Sequence, residues 1–456
     1  MSLDAKLTDI GQGFLTGKPG VAAQLAPLDL DLLAELAESY VRTKPPLELP
    51  SKIEPVEIYP REPDASRAAQ YAEAERVGRQ LLKDGKVAAF LVAGGQGTRL
   101  GYDGPKGEYP VTPIKNKPLF QVFAEQLLAH GRHAGKTIPW YVMTSSVNDA
   151  PTRAFFEKHD HFGYPAGDVI FFQQGMMPAF ANDGKMLLAA DDSLALSPDG
   201  HGGSLMALKK SGALDDMRNR GVEHLSYFQV DNPLVHCIDP LFLGLHATTG
   251  SEMSSKGLAK AFAKEKVGNF CVADGKVTVI EYSDLPDELA EQTDADGNLR
   301  FNAGSIAIHA LRVDFIERLT ETGRLNLPWH RAEKKVPHIG EPDPQTPNAV
   351  KLEQFVFDAI PLAQNAIVLE TSRAEEFSPV KNAEGGDSPE TSRRDQIRRA
   401  ARWLAEAGVE VPRTPDGEPD ATLEISPLFA VDAAETKSKN IPPTPIQSGT
   451  SIYYGE

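Results

Sequence analysis

The sequence predicts an α/β protein built around a mainly parallel central sheet, and three observations predict it. Unbroken apolar runs of strand length alternate with helical or loop-rich stretches. The first of these runs feeds directly into a glycine-rich loop. On either side the texture changes, to helical periodicity before the runs begin and to proline-punctuated polar sequence after they end. At 456 residues, with 41% hydrophobic and 24% charged positions, the chain can bury one large core with smaller lobes, and its composition is not that of a disordered or fibrous protein.

Residues 1–84 read as a helical N-terminal lobe. LDLDLLAELAESYV from Leu28 carries apolar residues at helical spacing, and a proline-broken connector runs from Pro45 to Pro63. A further helix with Val77, Leu81 and Leu82 on one face stops at Gly85. Residues 85–372 read as the central domain. VAAFLVA, from Val87 to Ala93, has the uninterrupted apolar character of a strand buried on both faces. Further runs follow at WYVM from Trp140, VIFF from Val169, LSYFQV from Leu225, VTVIEY from Val277, SIAI from Ser305 and NAIVLE from Asn365. Residues 373–456 read as a small C-terminal lobe: a glycine-rich turn, a helix opening with Ser388-Pro389 and ending near Gly408, then strand-like pieces between prolines. The last stretch, IPPTPIQSGTSIYYGE, reads as a loose tail.

A formal net charge of −17 opposes general affinity for nucleic acid, and no basic run offsets it. Cys237 and Cys271 show no CxxC spacing and read as buried reduced thiols, which suits a cytoplasmic protein. No leader pattern and no long apolar stretch points to export or a membrane. The histidines, including His159 and His161 around Asp160, lack the spacing of zinc ligands.

Chemistry enters with GGQGTRLGYDGPKG, from Gly94 to Gly107. Its glycines free backbone N–H groups to approach an anion, and Arg99 and Lys106 add a forked donor and a point charge for phosphate oxygens. A dinucleotide fingerprint is the competing reading of such a loop. It is disfavoured because the next strand-like run, WYVMTSS, ends in neutral hydroxyls where a ribose-selecting charge belongs, and because Thr98-Arg99 would crowd the pyrophosphate turn. No Walker spacing is present.

At this loop the chain resembles the eukaryotic-type UDP-sugar pyrophosphorylases, above all the UDP-N-acetylglucosamine pyrophosphorylase branch, whose signature reads LAGGQGTRLG followed by PKG. The resemblance continues in the family's order through FFQQG at Phe171, SPDGHGG at Ser197, VDNPLV at Val230, EKVG at Glu265, EYSD at Glu281, FNAGS at Phe301, PNAVKLEQFVFD at Pro347, EEFSPVKN at Glu375 and LEISPL at Leu423. It implies a GT-A-like nucleotidyltransferase domain between two smaller lobes, binding UTP and a sugar 1-phosphate and releasing a UDP-sugar and pyrophosphate with Mg²⁺ as cofactor.

The resemblance also implies roles. Gly94, Gly95, Gly97 and Thr98 would hold the nucleotide, with Gln174 and Gly202 at the uracil. Asp231 would be the metal ligand, a hard oxygen donor at a strand end, and Arg99, Lys106 and Lys381 would neutralise the reacting phosphates. His201, Gly268, Glu281, Asn302, Phe355 and Phe357 would meet the sugar, the two phenylalanines facing one side of a strand or extended segment. Each has a plainer alternative: a turn-capping aspartate for Asp231, a solvated loop lysine for Lys381, a surface turn residue for Gln174, core packing for the phenylalanines. GHGG at His201 departs from the GNGG of the N-acetylglucosamine branch toward the UDP-glucose and broad UDP-sugar branches, so the sugar stays open. A catalytically silent sugar-nucleotide-binding protein and a nicotinamide oxidoreductase are the rival classes.

Overall fold

The computed structural model describes residues 2–44 and 49–456, so the first four residues of the proline-broken connector lie outside the described residues. The chain divides into two compact units. One combines residues 1–50, 174–207 and 323–359; the other combines 51–173, 208–322 and 360–456. The segment borders read after residues 84 and 372 therefore both fall inside the second unit. Packing explains this. Helix Ala68–Asp84 lies so tightly on helix Pro240–Thr248 that a Cβ on Gly78 would stand 1.8 Å from the Pro240 carbonyl oxygen, and one on Gly244 would stand 1.6 Å from that of Ala74. The helix stops as its sequence requires, with Gly85 left-handed at φ 73°.

The second unit is built on one large sheet. Its strands lie in the order Ile58–Tyr59, Val368–Thr371, Met253–Ala259, Ala303–Arg312, His224–Gln229, Val87–Val92, Trp140–Thr144 and Val169–Gln173. Pairing is parallel from His224–Gln229 through Val87–Val92 and Trp140–Thr144 to Val169–Gln173, and again among the first three strands. Ala303–Arg312 runs antiparallel to both neighbours, and the hairpin Gly268–Ala273 with Lys276–Ile280 is antiparallel beside it. The expected mainly parallel α/β sheet is thus present, with one reversed strand in its middle. Phe120, Phe123, Trp140, Phe156 and Phe228 fill the core, each fully buried and each stabilising by about 1.5–3 kcal/mol relative to exposure.

Two strands that no apolar run announced are of particular interest. Met253–Ala259 reads MSSKGLA and is nonetheless almost entirely buried. Ser451–Tyr454 lies in the stretch read as a loose tail; it pairs in parallel with Thr422–Ile425, and the Tyr453 hydroxyl accepts a hydrogen bond from Lys117 Nζ at 2.9 Å. The tail reading is corrected on that account. The prolines before residue 447 masked a SIYY segment whose aromatics favour a pleated, half-buried edge.

The first unit packs helices Leu3–Asp9, Pro19–Leu25 and Leu30–Leu36 against three small antiparallel pairs, Met176–Pro178 with Leu196–Pro198, Leu188–Ala190 with Ser193–Leu194, and His330–Lys334 with Ala349–Glu353. Leu7, Leu33, Phe180 and Val350 are among its buried core. Asp29 caps Leu30–Leu36 by accepting from the Asp31 and Leu32 N–H groups. No helix among the described residues is long and apolar enough to cross a membrane.

Candidate active site

The residues singled out from the sequence divide between the two units. In the second, the glycine loop leaves the strand Val87–Val92 and closes on itself, with Gly97 N–H donating to Gly104 O at 2.8 Å and Lys106 N–H donating to Gly95 O at 3.1 Å. Gly101 takes a φ of 69°, where a side chain would be strained, and Gly107 lies under Phe120, whose ring a Cβ would meet at 2.1 Å. Asn148 anchors the loop. It is fully buried, accepts from Ser145 N–H at 2.7 Å, and donates to Ala93 O at 2.9 Å and Gly95 O at 3.3 Å. Sequence reading passed over Asn148; the only signal was a lone asparagine after the hydroxyl pair that ends WYVMTSS. Gly95, Thr98 and Arg99 are exposed, Gly94 is half-buried, and no protein atom lies within 4 Å of where a Gly95 Cβ would stand.

Lys106 is 7% exposed. Burial pulls its pKa down, the Asp231 carboxylate opposes this, and the charges of Arg99 and Lys381 push it down again. Asp231, Arg99 and Lys381 therefore all stand within electrostatic reach of Lys106, two of them from far along the chain. Among the described residues neither the Lys106 amine, the Arg99 guanidinium nor the Asp231 carboxylate makes a hydrogen bond or ion pair. Lys381 has only a loose pairing with Asp387 at 3.8 Å and a position 5.8 Å from the centre of the Phe377 ring. The turn-capping task considered for Asp231 belongs instead to Asn232. Its Oδ1 accepts from Leu234 N–H at 3.3 Å and Ser378 N–H at 3.2 Å, and its Nδ2 donates to Glu376 O at 2.6 Å.

Gly268, Glu281 and Asn302 gather at one end of the antiparallel part of the same sheet. Gly268 faces Ser305 in register, and a Cβ there would stand 2.6 Å from Val279 Cγ1 and 3.5 Å from Glu281 Oε1. Asn302 Oδ1 accepts from Lys260 N–H at 2.8 Å. Lys260 itself is buried and donates from Nζ to Asn269 Oδ1 at 2.6 Å.

In the first unit, His201, Gly202, Phe355 and Phe357 come together. Gly202 N–H donates to Gln354 O at 2.8 Å, an approach a Cβ would block at 2.7 Å from the Gln354 carbonyl carbon. Val356 N–H donates to His201 Nδ1 at 3.1 Å, which fixes the neutral tautomer that carries its proton on Nε2. The imidazole stacks on Phe355 with centroids 5.1 Å apart and tilts against Phe357 at 5.8 Å. Burial, with His330 nearby, pushes its pKa down to about 4. The phenylalanines do not share a strand: Ala349–Glu353 ends before them and Phe357 lies in the 3-10 helix Val356–Leu362. Their rings nevertheless face each other at 5.2 Å, because the His201 bond and the Asp358 N–H to Phe355 O bond turn the backbone between them. Gln174 is half-buried next to Gly175, where a Cβ would stand 2.0 Å from an Asp199 carboxylate oxygen.

Comparisons with known proteins identify the family of the chain. Residues 34–385 match the family model described as UTP--glucose-1-phosphate uridylyltransferase. A human protein named UDP-N-acetylhexosamine pyrophosphorylase-like protein 1 is 39% identical over 91% of this chain and 87% of its own length. UDP-N-acetylglucosamine pyrophosphorylase from Saccharomyces cerevisiae is 40% identical over 79% of this chain and 80% of its own. The solved structure of a Trypanosoma brucei uridine diphosphate N-acetylglucosamine pyrophosphorylase, crystallised with an inhibitor, superposes with a TM-score of 0.83 at 26% identity and covers 100% of this chain and 99% of that one. With a family model spanning most of its length and relatives this similar, the chain belongs to the UTP-glucose-1-phosphate uridylyltransferase family.

Proposed function

We propose that the chain transfers UMP from UTP to a sugar 1-phosphate, N-acetylglucosamine 1-phosphate above others, and releases pyrophosphate. The observation that carries this reading is the grouping of Arg99, Lys106, Lys381 and Asp231 at the mouth of the glycine loop. Three cations with no strong protein partner suit a substrate that brings its own negative charge. A sugar 1-phosphate is already anionic near neutral pH, since a phosphate monoester loses its second proton at a pKa of about 6, so no general base is needed. A phosphate oxygen attacks the α-phosphorus of UTP in line. As the new P–O bond forms, the bond to the β-phosphate bridging oxygen breaks, and its electron pair leaves with pyrophosphate. The loop N–H groups orient the nucleotide, and Arg99, Lys106 and Lys381 offset charge as it moves to the leaving group.

The residues fit Mg²⁺. Asp231 offers an uncommitted hard oxygen, and Mg²⁺ is commonly held by one or two carboxylates together with water and substrate phosphates. Bound there, Mg²⁺ would neutralise phosphate charge. Gly268, Glu281 and Asn302, together in the second unit, offer hydrogen-bonding groups for sugar hydroxyls. The names of the yeast and trypanosomal relatives support the acetamido sugar. A reducing cytoplasm suits two buried thiols, of which burial pushes Cys271 up to about 12.

Pyrophosphate release from UTP and Mg²⁺, compared across N-acetylglucosamine, glucose and galactose 1-phosphates, tests the reading. Fastest release with the acetamido sugar supports it. Fastest release with glucose keeps the transfer and moves the specificity to the side that His201 in GHGG suggests. Binding without release from any of them would leave only a sugar-nucleotide-binding protein.

A further inference from the structure

The strand Met253–Ala259 buries a lysine completely: Lys256 is 1% exposed. Its Nζ contacts both oxygens of Glu376 at 2.7 Å and Asp239 Oδ2 at 2.5 Å. Burial alone would lower the lysine pKa, but the two carboxylates reverse this and hold it above the usual value. Such clusters are costly to desolvate, and apolar replacements often do as well for stability. A role beyond stability is visible in where the cluster is attached.

The strand opposite Lys256 bulges. Between the pairs Ser255 with His309 and Gly257 with Ser305, Lys256 alone opposes residues 306–308, and Ala307 takes a left-handed φ of 56°. A non-glycine residue in that conformation inside a strand costs about 1–2 kcal/mol, and such bulges re-aim side chains. Lys256 is aimed at Glu376, which sits where the two halves of the phosphate site meet. The Glu376 carbonyl accepts from Asn232 Nδ2 at 2.6 Å, its Oε1 accepts from His236 N–H at 3.2 Å, and its Oε2 accepts from the Thr371 hydroxyl at 2.5 Å. Just beyond, Asn232 Oδ1 accepts from Ser378 N–H at 3.2 Å and Asp231 O accepts from Val380 N–H at 2.7 Å. The next residue is Lys381.

We propose that Lys256 and Glu376 are positioning residues for the transfer: their buried ion pair locks the strand end that carries Asp231 to the segment that carries Lys381, an inference that rests on the transferase reading of the site. Neither touches substrate. Both act through the placement of Lys381 opposite Asp231.

The test is a double-mutant cycle on the full chain, with UTP, Mg²⁺ and whichever sugar 1-phosphate releases pyrophosphate fastest. Glu376→Gln keeps shape and hydrogen-bonding atoms and removes the charge. It lowers kcat by about tenfold to a hundredfold, as a misplacement near 1 Å does, while the UTP KM stays within about twofold. In the Lys381→Ala background the same change lowers kcat by less than about twofold, because the group it positions is gone. A merely structural role would cost the same factor in both backgrounds. If Glu376→Gln fails to fold, Lys256→Arg, which keeps the cluster's charge and displaces its donors, is read in the same cycle. If Lys381→Ala alone leaves kcat unchanged, the reading of the site fails and the coupling fails with it. If Lys381→Ala is severe but the second change costs equally in both backgrounds, the site reading stands and the positioning role is overturned.

Discussion

Two glycine-rich segments, Gly94–Gly97 in one unit and Gly200–Gly203 in the other, look alike on paper and differ in what surrounds them. Around Gly95 no protein atom comes within 4 Å of a Cβ position. Around Gly200, Gly202 and Gly203 the Cβ positions are taken, by the Gln354 backbone at 2.3 Å and 2.7 Å and by the Asp199 carboxylate at 2.3 Å. Glycine at 95 leaves the backbone open to the outside of the protein; at 200, 202 and 203 it lets protein approach protein. A defect in the first should appear in turnover and a defect in the second in stability.

The largest expected effect is on the turnover side. Lys381 is partly exposed and only loosely paired, so Lys381→Ala should leave the urea midpoint unchanged while lowering kcat by roughly 10²–10³-fold, the usual cost of removing one donor aimed at developing charge. A fall in stability of comparable size, with kcat preserved in the folded fraction, would break the comparison. The opposite pattern is expected for Gly200→Ala. At φ 89° a side chain is strained, and its Cβ would overlap Gln354 O, so about 3 kcal/mol of stability should be lost in urea denaturation through strain and overpacking together.

How much of this could be read beforehand depends on where the information lay. The strand Val87–Val92, the glycine loop behind it and the helix Pro389–Glu406 announced themselves because apolar runs, turn residues and a Ser-Pro cap are local signals. Met253–Ala259 did not, since Lys256 in mid-strand reads as polar until Glu376, 120 residues later, neutralises it. Asn148 was silent for a related reason: the loop carbonyls it anchors, those of Ala93 and Gly95, are more than 50 residues away. Phe355 and Phe357 were placed on one face by a strand argument that failed, yet their rings do converge, because the His201 bond turns the backbone that a strand would have kept straight. Residues whose partners are local were visible; those held by distant partners were not.

His201 sharpens the comparison through pH. Its imidazole accepts from Val356 N–H only while neutral, and burial holds its pKa down to about 4 against an ordinary 6.5. Between those values the unfolded chain binds the proton and the folded one does not. This site therefore leaves stability untouched above pH 6.5, lowers it as pH falls, and stops lowering it below pH 4. At pH 5 the loss from this residue is about 2 kcal/mol. His224, with its pKa near 4 by burial, adds to the acid sensitivity of the whole chain, so the diagnostic is a difference: urea midpoints at pH 7 and pH 5 should diverge less in His201→Asn than in the unaltered protein. Equal divergence would place the protonation elsewhere.

The smallest expected effect is the most selective. Gly95→Ala adds a methyl group where no protein atom lies within 4 Å, at a residue whose φ is not among the left-handed ones, so its stability should stay within about 0.5 kcal/mol of the parent. The loop keeps its closing bond from Lys106 N–H to Gly95 O, since the backbone need not move. What the methyl group does occupy is the approach of a phosphate to the loop N–H groups. The UTP KM should therefore rise by about tenfold, the worth of one ordinary hydrogen bond lost or lengthened, while the sugar 1-phosphate KM changes little. Unchanged KM for both substrates would mean that the nucleotide passes elsewhere, and a small residue at 95 would then serve neither the nucleotide nor the fold, unlike the glycines at 200, 202 and 203.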